Sequence, residues 1–134
     1  MAAPLLVLQD IHLSFGGRPL IEGADLSVSE GERLCLVGRN GSGKSTLLKV
    51  AAGLLESDRG SRVVHQGAVI RYLPQEPDLA GYATTLAYAE GDIGPDGDRH
   101  RARLLLEALG LTGAEDPARL SGGEARRAAL ARVL

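Results

Sequence analysis

The sequence has little cysteine and few aromatic residues. Cys35 stands alone, and Phe, Trp and Tyr together make up 3% of the 134 residues. A single cysteine excludes an internal disulfide, and its use is compatible with a reducing compartment. Because Cys35 lies in the apolar run Leu34–Val37, we expect it to pack in the interior rather than to carry chemistry.

Long hydrophobic runs and a strong charge imbalance are also missing. No apolar stretch approaches the roughly 18–20 residues that span a bilayer. The opening Met1–Pro4 has no basic residue of the kind that starts a secretory signal. We therefore expect a cytoplasmic chain without membrane insertion. The net charge of −2 gives no general attraction to nucleic acid, so such a contact would need a local basic patch.

The 18 glycines are abundant, but they fall in loops between segments of periodic hydrophobicity, which predicts a folded domain. Arg33–Val37 is almost continuously apolar, as in a parallel strand that is covered on both faces. Helical spacing predicts a helix over Lys44–Ala52, ended by Gly53. Further strands are predicted at Leu5–Gln9, Ile11–Phe15, Ala24–Val28, Val63–Val64 and Val69–Leu73.

The pattern changes near Pro77 from strands to helices. Helical spacing predicts helices over Thr85–Glu90 and Arg99–Leu109, and a last helix that starts near Ser121. We expect a first part at residues 1–76 and a helical part at residues 77–134.

Between the buried strand and the first helix lies the pattern Gly-x4-Gly-Lys-Ser, which Gly38, Gly43, Lys44 and Ser45 fulfil. Glycines allow backbone N–H groups to converge on phosphate oxygens, and a helix N-terminus adds positive charge. Lys44 would reach the terminal phosphates and the Ser45 hydroxyl would bind Mg²⁺. The alternative is a glycine-rich turn with a surface lysine. Lys44 and Lys49 are the only lysines, which is supporting evidence for the phosphate loop.

A second pattern, Leu120-Ser121-Gly122-Gly123-Glu124, precedes an alanine-rich helix. Ser121 and Glu124 fit a capping box, which requires no function. Two glycines at the first helical positions, however, weaken the helix by roughly 1 kcal/mol each. Either the segment is a plain cap, or its N–H groups form a second anion site.

Gln75 lies between Pro74 and Pro77, just after a predicted strand. Its amide could contact a metal ion or an attacking water, or it could be a polar loop residue without a function.

Taken in order, these patterns resemble the Walker A, Q-loop and signature motifs of the ATP-binding-cassette (ABC) superfamily. The resemblance implies an α/β fold with a P-loop nucleoside triphosphate hydrolase core, an antiparallel β portion and a helical subdomain, here truncated. It implies ATP and Mg²⁺ as cofactors, with Ser45 and Gln75 at the metal. The loop residues that would bind ATP are Gly38, Asn40, Gly41, Ser42, Gly43, Lys44, Ser45 and Thr46.

The same resemblance implies that Ser121, Gly122 and Gly123 clamp ATP held on a second cassette, in the same longer chain or in a dimer. Phe15 resembles the aromatic residue on which this superfamily stacks adenine, although in most folds such a residue is simply core.

Three segments resemble the soluble F-type subfamily, whose members have paired cassettes and act on ribosomes. These segments are Val37–Gly41, Tyr72–Pro77 and Leu120–Arg127. The stretch from Gln75 to Ser121 is too short for the long inserted arm of many F-type members, so the ribosome is an expectation by analogy. One alternative is the ATP-binding subunit of a membrane transporter. Another is a truncated product that only binds nucleotide.

Complete cassettes of this superfamily carry a strand that ends in Asp-Glu, followed by a histidine that senses the γ-phosphate. Neither follows the Ser121 motif in this sequence. His12, His65 and His100 all precede it and are expected to be ordinary surface or partly buried residues. We expect an N-terminal fragment with low stability by itself and no ATP turnover, since hydrolysis would need the remaining residues.

Overall fold

A computed structural model of the chain describes residues 3–39 and 41–134. The chain forms two compact units, the first ending at Tyr72 and the second beginning at Leu73. A sheet and one helix make up the first unit, and helices make up the second. The functional division into residues 1–76 and 77–134 stays a prediction.

The sheet of the first unit has three antiparallel strands in the order β2-β1-β3. They are β1 (Pro4–Phe15), β2 (Arg18–Ser29) and β3 (Arg59–Val64). A tight turn joins the first two, and it requires glycine because Gly16 and Gly17 have φ values of 58° and 78°. The strands predicted within these three elements are confirmed.

A bulge at Asp10 keeps one face of β1 buried from Leu6 to Leu13. Leu8 and Ile11 are both buried although they are three residues apart, which strict alternation would not allow. The register with β2 shifts between them, and Asp10 takes a left-handed φ of 51°. The Asp10 N–H donates to Asp25 Oδ1 at 2.8 Å, which stabilises the bulge.

The helix α1 spans Lys44–Ala52, as the hydrophobic spacing predicts. Its buried residues Val50 and Ala51 join the sheet's apolar face in one core cluster. Gly53 ends the helix with a φ of 81°. The N–H of the next residue, Leu54, donates back to Lys49 O at 2.9 Å, which is the pattern of a glycine-terminated helix.

The second unit packs three helices, α2 (Thr85–Ala89), α3 (Arg99–Ala108) and α4 (Gly122–Val133). All three are confirmed within one or two residues of their predicted bounds. A short 3-10 turn, Pro117–Arg119, precedes α4. Several of the contacting residues are alanines, and such small side chains let helices approach closely. The buried residues are Leu79, Tyr88, Ala89, Ala102, Leu106, Leu111, Ala128, Ala129 and Ala131.

Two predicted strands are wrong. Arg33–Val37 and Val69–Leu73 are irregular, and Val37 is 90% and Val69 78% exposed. Cys35 is exposed as well, so the expectation that it packs in the interior is also wrong. Within residues 3–39 and 41–134 no strand pairs with either segment. Without neighbouring strands, the backbone N–H and C=O groups of these apolar segments have no ladder partners and are hydrated instead.

Candidate nucleotide-binding site

The glycine-rich loop runs from Gly38 into the N-terminus of α1. Gly41 and Gly43 have φ values of 81° and 93°, and between them the Ser42 N–H donates to Arg39 O at 3.1 Å. Positive φ values favour glycine, and at these two positions they turn the backbone into a loop. Asn40, predicted to be part of this loop, lies outside the described residues.

Gly43 sits where the loop passes close to β2. A Cβ at this position would lie 3.3 Å from Leu20 Cγ and from Ile21 Cγ1, and 3.4 Å from Leu20 O. Two separate reasons therefore favour glycine at position 43: its positive φ, and the lack of room for a Cβ beside Leu20 and Ile21. The close contact fixes the start of α1 against the sheet.

Gly38 faces the interior of the loop. A Cβ on Gly38 would lie 2.8 Å from Ser42 Oγ and 3.5 Å from Lys44 Cδ. The Lys44 ammonium donates a hydrogen bond to Gly38 O across the loop. A side chain at position 38 would thus fill the same space that the lysine stem and the serine hydroxyl border.

The N-terminus of α1 offers backbone N–H groups to this space. Leu47 donates to Gly43 O at 2.8 Å, so the N–H groups of the preceding turn have no acceptor within the helix. That first turn contains no acidic residue. Ser45 is exposed and Thr46 half-buried at this end. Free N–H groups, the helix dipole and an ammonium together form an arrangement suited to a phosphate chain.

Phe15 ends β1 and pairs in register with Arg18 across the turn. Its side chain is 54% exposed, so it is not a core residue of the first unit. An exposed aromatic ring is available for stacking, and its adenine contact stays a prediction.

The Ser121 motif forms the capping box that its spacing predicts. Glu124 N–H donates to Ser121 Oγ and Ser121 N–H donates to Glu124 Oε1, both at 3.1 Å. The hydrogen bond from the Ser121 backbone N–H lowers the pKa of Glu124. A Cβ on Gly122 would meet nothing within 4 Å, so the first turn of α4 is open.

Gln75 lies exposed on a bend in the second unit, whereas the phosphate loop belongs to the first. The described residues contain no group of three or more His, Cys, Asp or Glu side chains that could hold a metal ion.

The three histidines lie where expected. His12 is half-buried, with its Nε2 2.8 Å from Asp10 Oδ1, and His65 and His100 are exposed.

Arg127 was missed by sequence reasoning. Its guanidinium donates to Gly123 O at 3.3 Å and to Leu109 O at 3.0 Å. The first contact could have been anticipated, because the two residues are four positions apart on a predicted helix. The second depends on how α3 and α4 pack, which no local pattern encodes.

The loop geometry is that of the P-loop class of nucleotide-binding proteins. Comparison with known sequences identifies a family within this class. Residues 21–134 match the family described as ABC transporter. Over 132 residues the chain is 47% identical to ATP-binding protein Uup of Caulobacter vibrioides, covering 98% of this chain and 21% of that protein. It is 37% identical over 141 residues to the aliphatic sulfonates import ATP-binding protein SsuB of Mycobacterium sp. (strain MCS), covering 100% and 57%.

The fold agrees with a solved structure of the ATP binding subunit of an ABC transporter. The TM-score is 0.80 at 25% identity, over 96% of this chain and 61% of that one. The chain belongs to the ABC transporter family. It spans about a fifth of the length of the Caulobacter protein and just over half of the length of the SsuB protein. In the described residues, no helix is both long and apolar enough to cross a membrane.

Proposed function

We propose that this chain binds the triphosphate of ATP in the loop Gly38–Thr46, as part of a cassette that hydrolyses ATP in the full-length protein. The observation that carries this proposal is the glycine-lined space at the N-terminus of α1, bordered by Lys44. In this proposal the backbone N–H groups of Gly41 and Gly43 and those of the first turn of α1 hold phosphate oxygens. The Lys44 ammonium leaves Gly38 O for the terminal phosphates.

Magnesium would be held by the Ser45 hydroxyl, phosphate oxygens and water, with the Gln75 amide oxygen as a further ligand or a contact to the attacking water. The ion would neutralise phosphate charge and polarise the terminal phosphoryl group. Phe15 would stack on adenine with its exposed ring. In this proposal all the residues that bind this ATP and its Mg²⁺ lie in the nucleotide-binding part, residues 1–76. Residues 77–134 form the helical part.

The open first turn of α4 would grip the phosphate of a second ATP, held by another cassette of a longer chain or by a second copy. Support comes from the unobstructed positions of Gly122 and Gly123 at a helix N-terminus, together with the capping box that holds this turn. Hydrolysis in this proposal needs both cassettes, because each ATP lies between the loop of one and the Ser121 turn of the other.

For the process that ATP drives, we favour a cytoplasmic F-type protein that acts on the ribosome. The support is the higher identity to Uup, an F-type protein, than to the transporter subunit SsuB, at 47% against 37%. The transporter alternative has support of its own, since SsuB and the solved transporter subunit both match nearly the whole chain.

Fractionation of cells that express the full-length protein separates these two functions. The F-type proposal predicts sedimentation with ribosomes that depends on ATP and is lost in Lys44→Ala but kept in Lys49→Ala. Recovery in the membrane fraction together with a permease would contradict it and favour the transporter subunit.

A further inference from the structure

The first turn of α4 is held by more than its capping box. Gly122 and Gly123 are poor helix formers, and two of them at the start of a helix favour fraying of its first turn. A Cβ on Gly122 would contact nothing within 4 Å, and one on Gly123 would reach only Ser121 Oγ, at 4.0 Å. Packing against these two positions therefore does not hold the turn in place.

Arg127 supplies a second restraint from one turn further along α4. Its Nε donates to Gly123 O at 3.3 Å, while its Nη1 donates to Leu109 O at 3.0 Å. Leu109 is the C-terminal capping residue of α3, where carbonyl groups lack helical partners and the helix dipole favours a cation. One guanidinium thus links the C-terminus of α3 to the glycine turn of α4.

The α3 terminus is shaped to receive this side chain. Gly110 follows Leu109 with a φ of +84°, and a Cβ on it would lie 3.1 Å from Arg127 Nη1. Two N–H groups on one planar group, at Nε and Nη1, reach the two separate carbonyls. Arginine provides them, whereas the single ammonium of lysine at the end of a flexible stem does not.

We infer that Arg127 is a positioning residue for the Ser121–Gly123 turn: it fixes the N–H groups of this turn relative to α3, so that they meet the phosphate of the facing nucleotide. The inference rests on the proposed function of that turn. Both hydrogen bonds of the Arg127 guanidinium go to carbonyl oxygens, so its proposed role is to place the turn rather than to bind phosphate. Its effect is exerted through the placement of Gly123.

The test uses the full-length protein with its facing cassette and compares Arg127→Gln and Arg127→Lys with Arg126→Gln. Arg126 is an exposed neighbour on the same helix and serves as the matched control. We expect Arg127→Gln to lower kcat by about tenfold to a hundredfold, as misplacement of a binding group does. The affinity of the phosphate loop for ATP, measured by equilibrium titration, should not change. Arg127→Lys should restore kcat only in part.

Equal kcat values in Arg127→Gln and Arg126→Gln would overturn the inference. So would a parallel fall in kcat and ATP affinity, which indicates a general loss of folding.

Gly123→Asp separates this inference from the proposed function, because it puts a carboxylate where the phosphate would lie. If Gly123→Asp leaves kcat intact, the composite site itself is wrong. If it abolishes turnover while Arg127→Gln does not, only the role of Arg127 is wrong.

Discussion

Thr85 and Glu115, thirty residues apart, are joined by two hydrogen bonds. The Thr85 hydroxyl donates to Glu115 Oε1 at 2.7 Å, and the Thr85 backbone N–H donates to Glu115 O at 3.1 Å. Thr85 is fully buried, and the same carboxylate accepts from the N–H groups of Thr112 and Gly113. This contact fixes the loop that leads toward α4 against the start of α2.

The Thr85 hydroxyl should therefore contribute measurably to stability. Thr85→Val keeps the shape of the side chain but removes the donor to a charged acceptor, which costs about 1.5–3 kcal/mol. Urea unfolding followed by circular dichroism would show this as a lower midpoint with an unchanged slope. An unchanged midpoint would mean that the hydroxyl contributes nothing beyond its volume.

The same contact predicts a pH dependence. Burial raises the pKa of Glu115, but hydrogen bonds from the Thr112 N–H, the Thr85 hydroxyl and the Gly113 N–H outweigh it and lower the pKa from 4.5 to about 2. Because the folded pKa lies below the unfolded one, the carboxylate stabilises the fold fully above pH 4.5. This stabilisation is lost as the pH falls from 4.5 toward 2.

Unfolding midpoints of the native protein and of Glu115→Gln, compared at neutral pH and inside this window, check the prediction. The native protein should be the more stable at neutral pH, and the difference should shrink in acid. Glu107→Gln, at an exposed position on α3, is the control and should show no such trend. A Glu115→Gln difference that stays constant through the window would contradict the account.

Sequence patterns predicted the local features of this chain well. Gly53 ends α1, and Ser121 and Glu124 form their capping box, because both depend on residues close in sequence. The expectation for Arg33–Val37 failed because a parallel strand exists only beside a neighbour. The apolar composition of Arg33–Val37 indicates that the segment would be buried in a sheet. It does not supply the neighbouring strands that such a sheet needs.

Long-range contacts lay beyond sequence reasoning. The contact of Arg127 with Leu109 O and the hydrogen bonds between Thr85 and Glu115 arise from helix packing in the second unit. Neither pair has a periodic signature. The glycines of the phosphate loop were predictable as a motif, whereas the requirement for space beside Leu20 at Gly43 became visible only in three dimensions.

Two glycines of the phosphate loop should respond differently to substitution. Gly41→Ala and Gly43→Ala both place a side chain at a positive φ, at a cost of about 1–2 kcal/mol. Only the Gly43 variant also pushes a Cβ against Leu20 and Ile21, since nothing lies within 4 Å of position 41. Thermal unfolding should show the larger loss for Gly43→Ala. A larger loss for Gly41→Ala would show that the contact with β2 is unimportant.

Ser121 should act as a helix cap independently of any nucleotide. Ser121→Ala removes the acceptor for the Glu124 N–H and should lower the free energy of unfolding by about 1 kcal/mol, whereas Ser121→Gly should cost only a few tenths. Denaturant unfolding without nucleotide measures both. Equal and negligible effects of the two variants would mean that the capping box does not stabilise α4.

The central claim is that the loop Gly38–Thr46 binds ATP, and the two lysines of the chain provide its most direct test. Lys44 borders the glycine-lined space, whereas Lys49 is exposed in the last turn of α1. Equilibrium titration with a fluorescent ATP analogue should show Lys49→Ala binding like the native protein. Lys44→Ala should lose about 1.5–3 kcal/mol, roughly a tenfold to hundredfold weaker affinity. Equal affinities of the two variants would contradict the account.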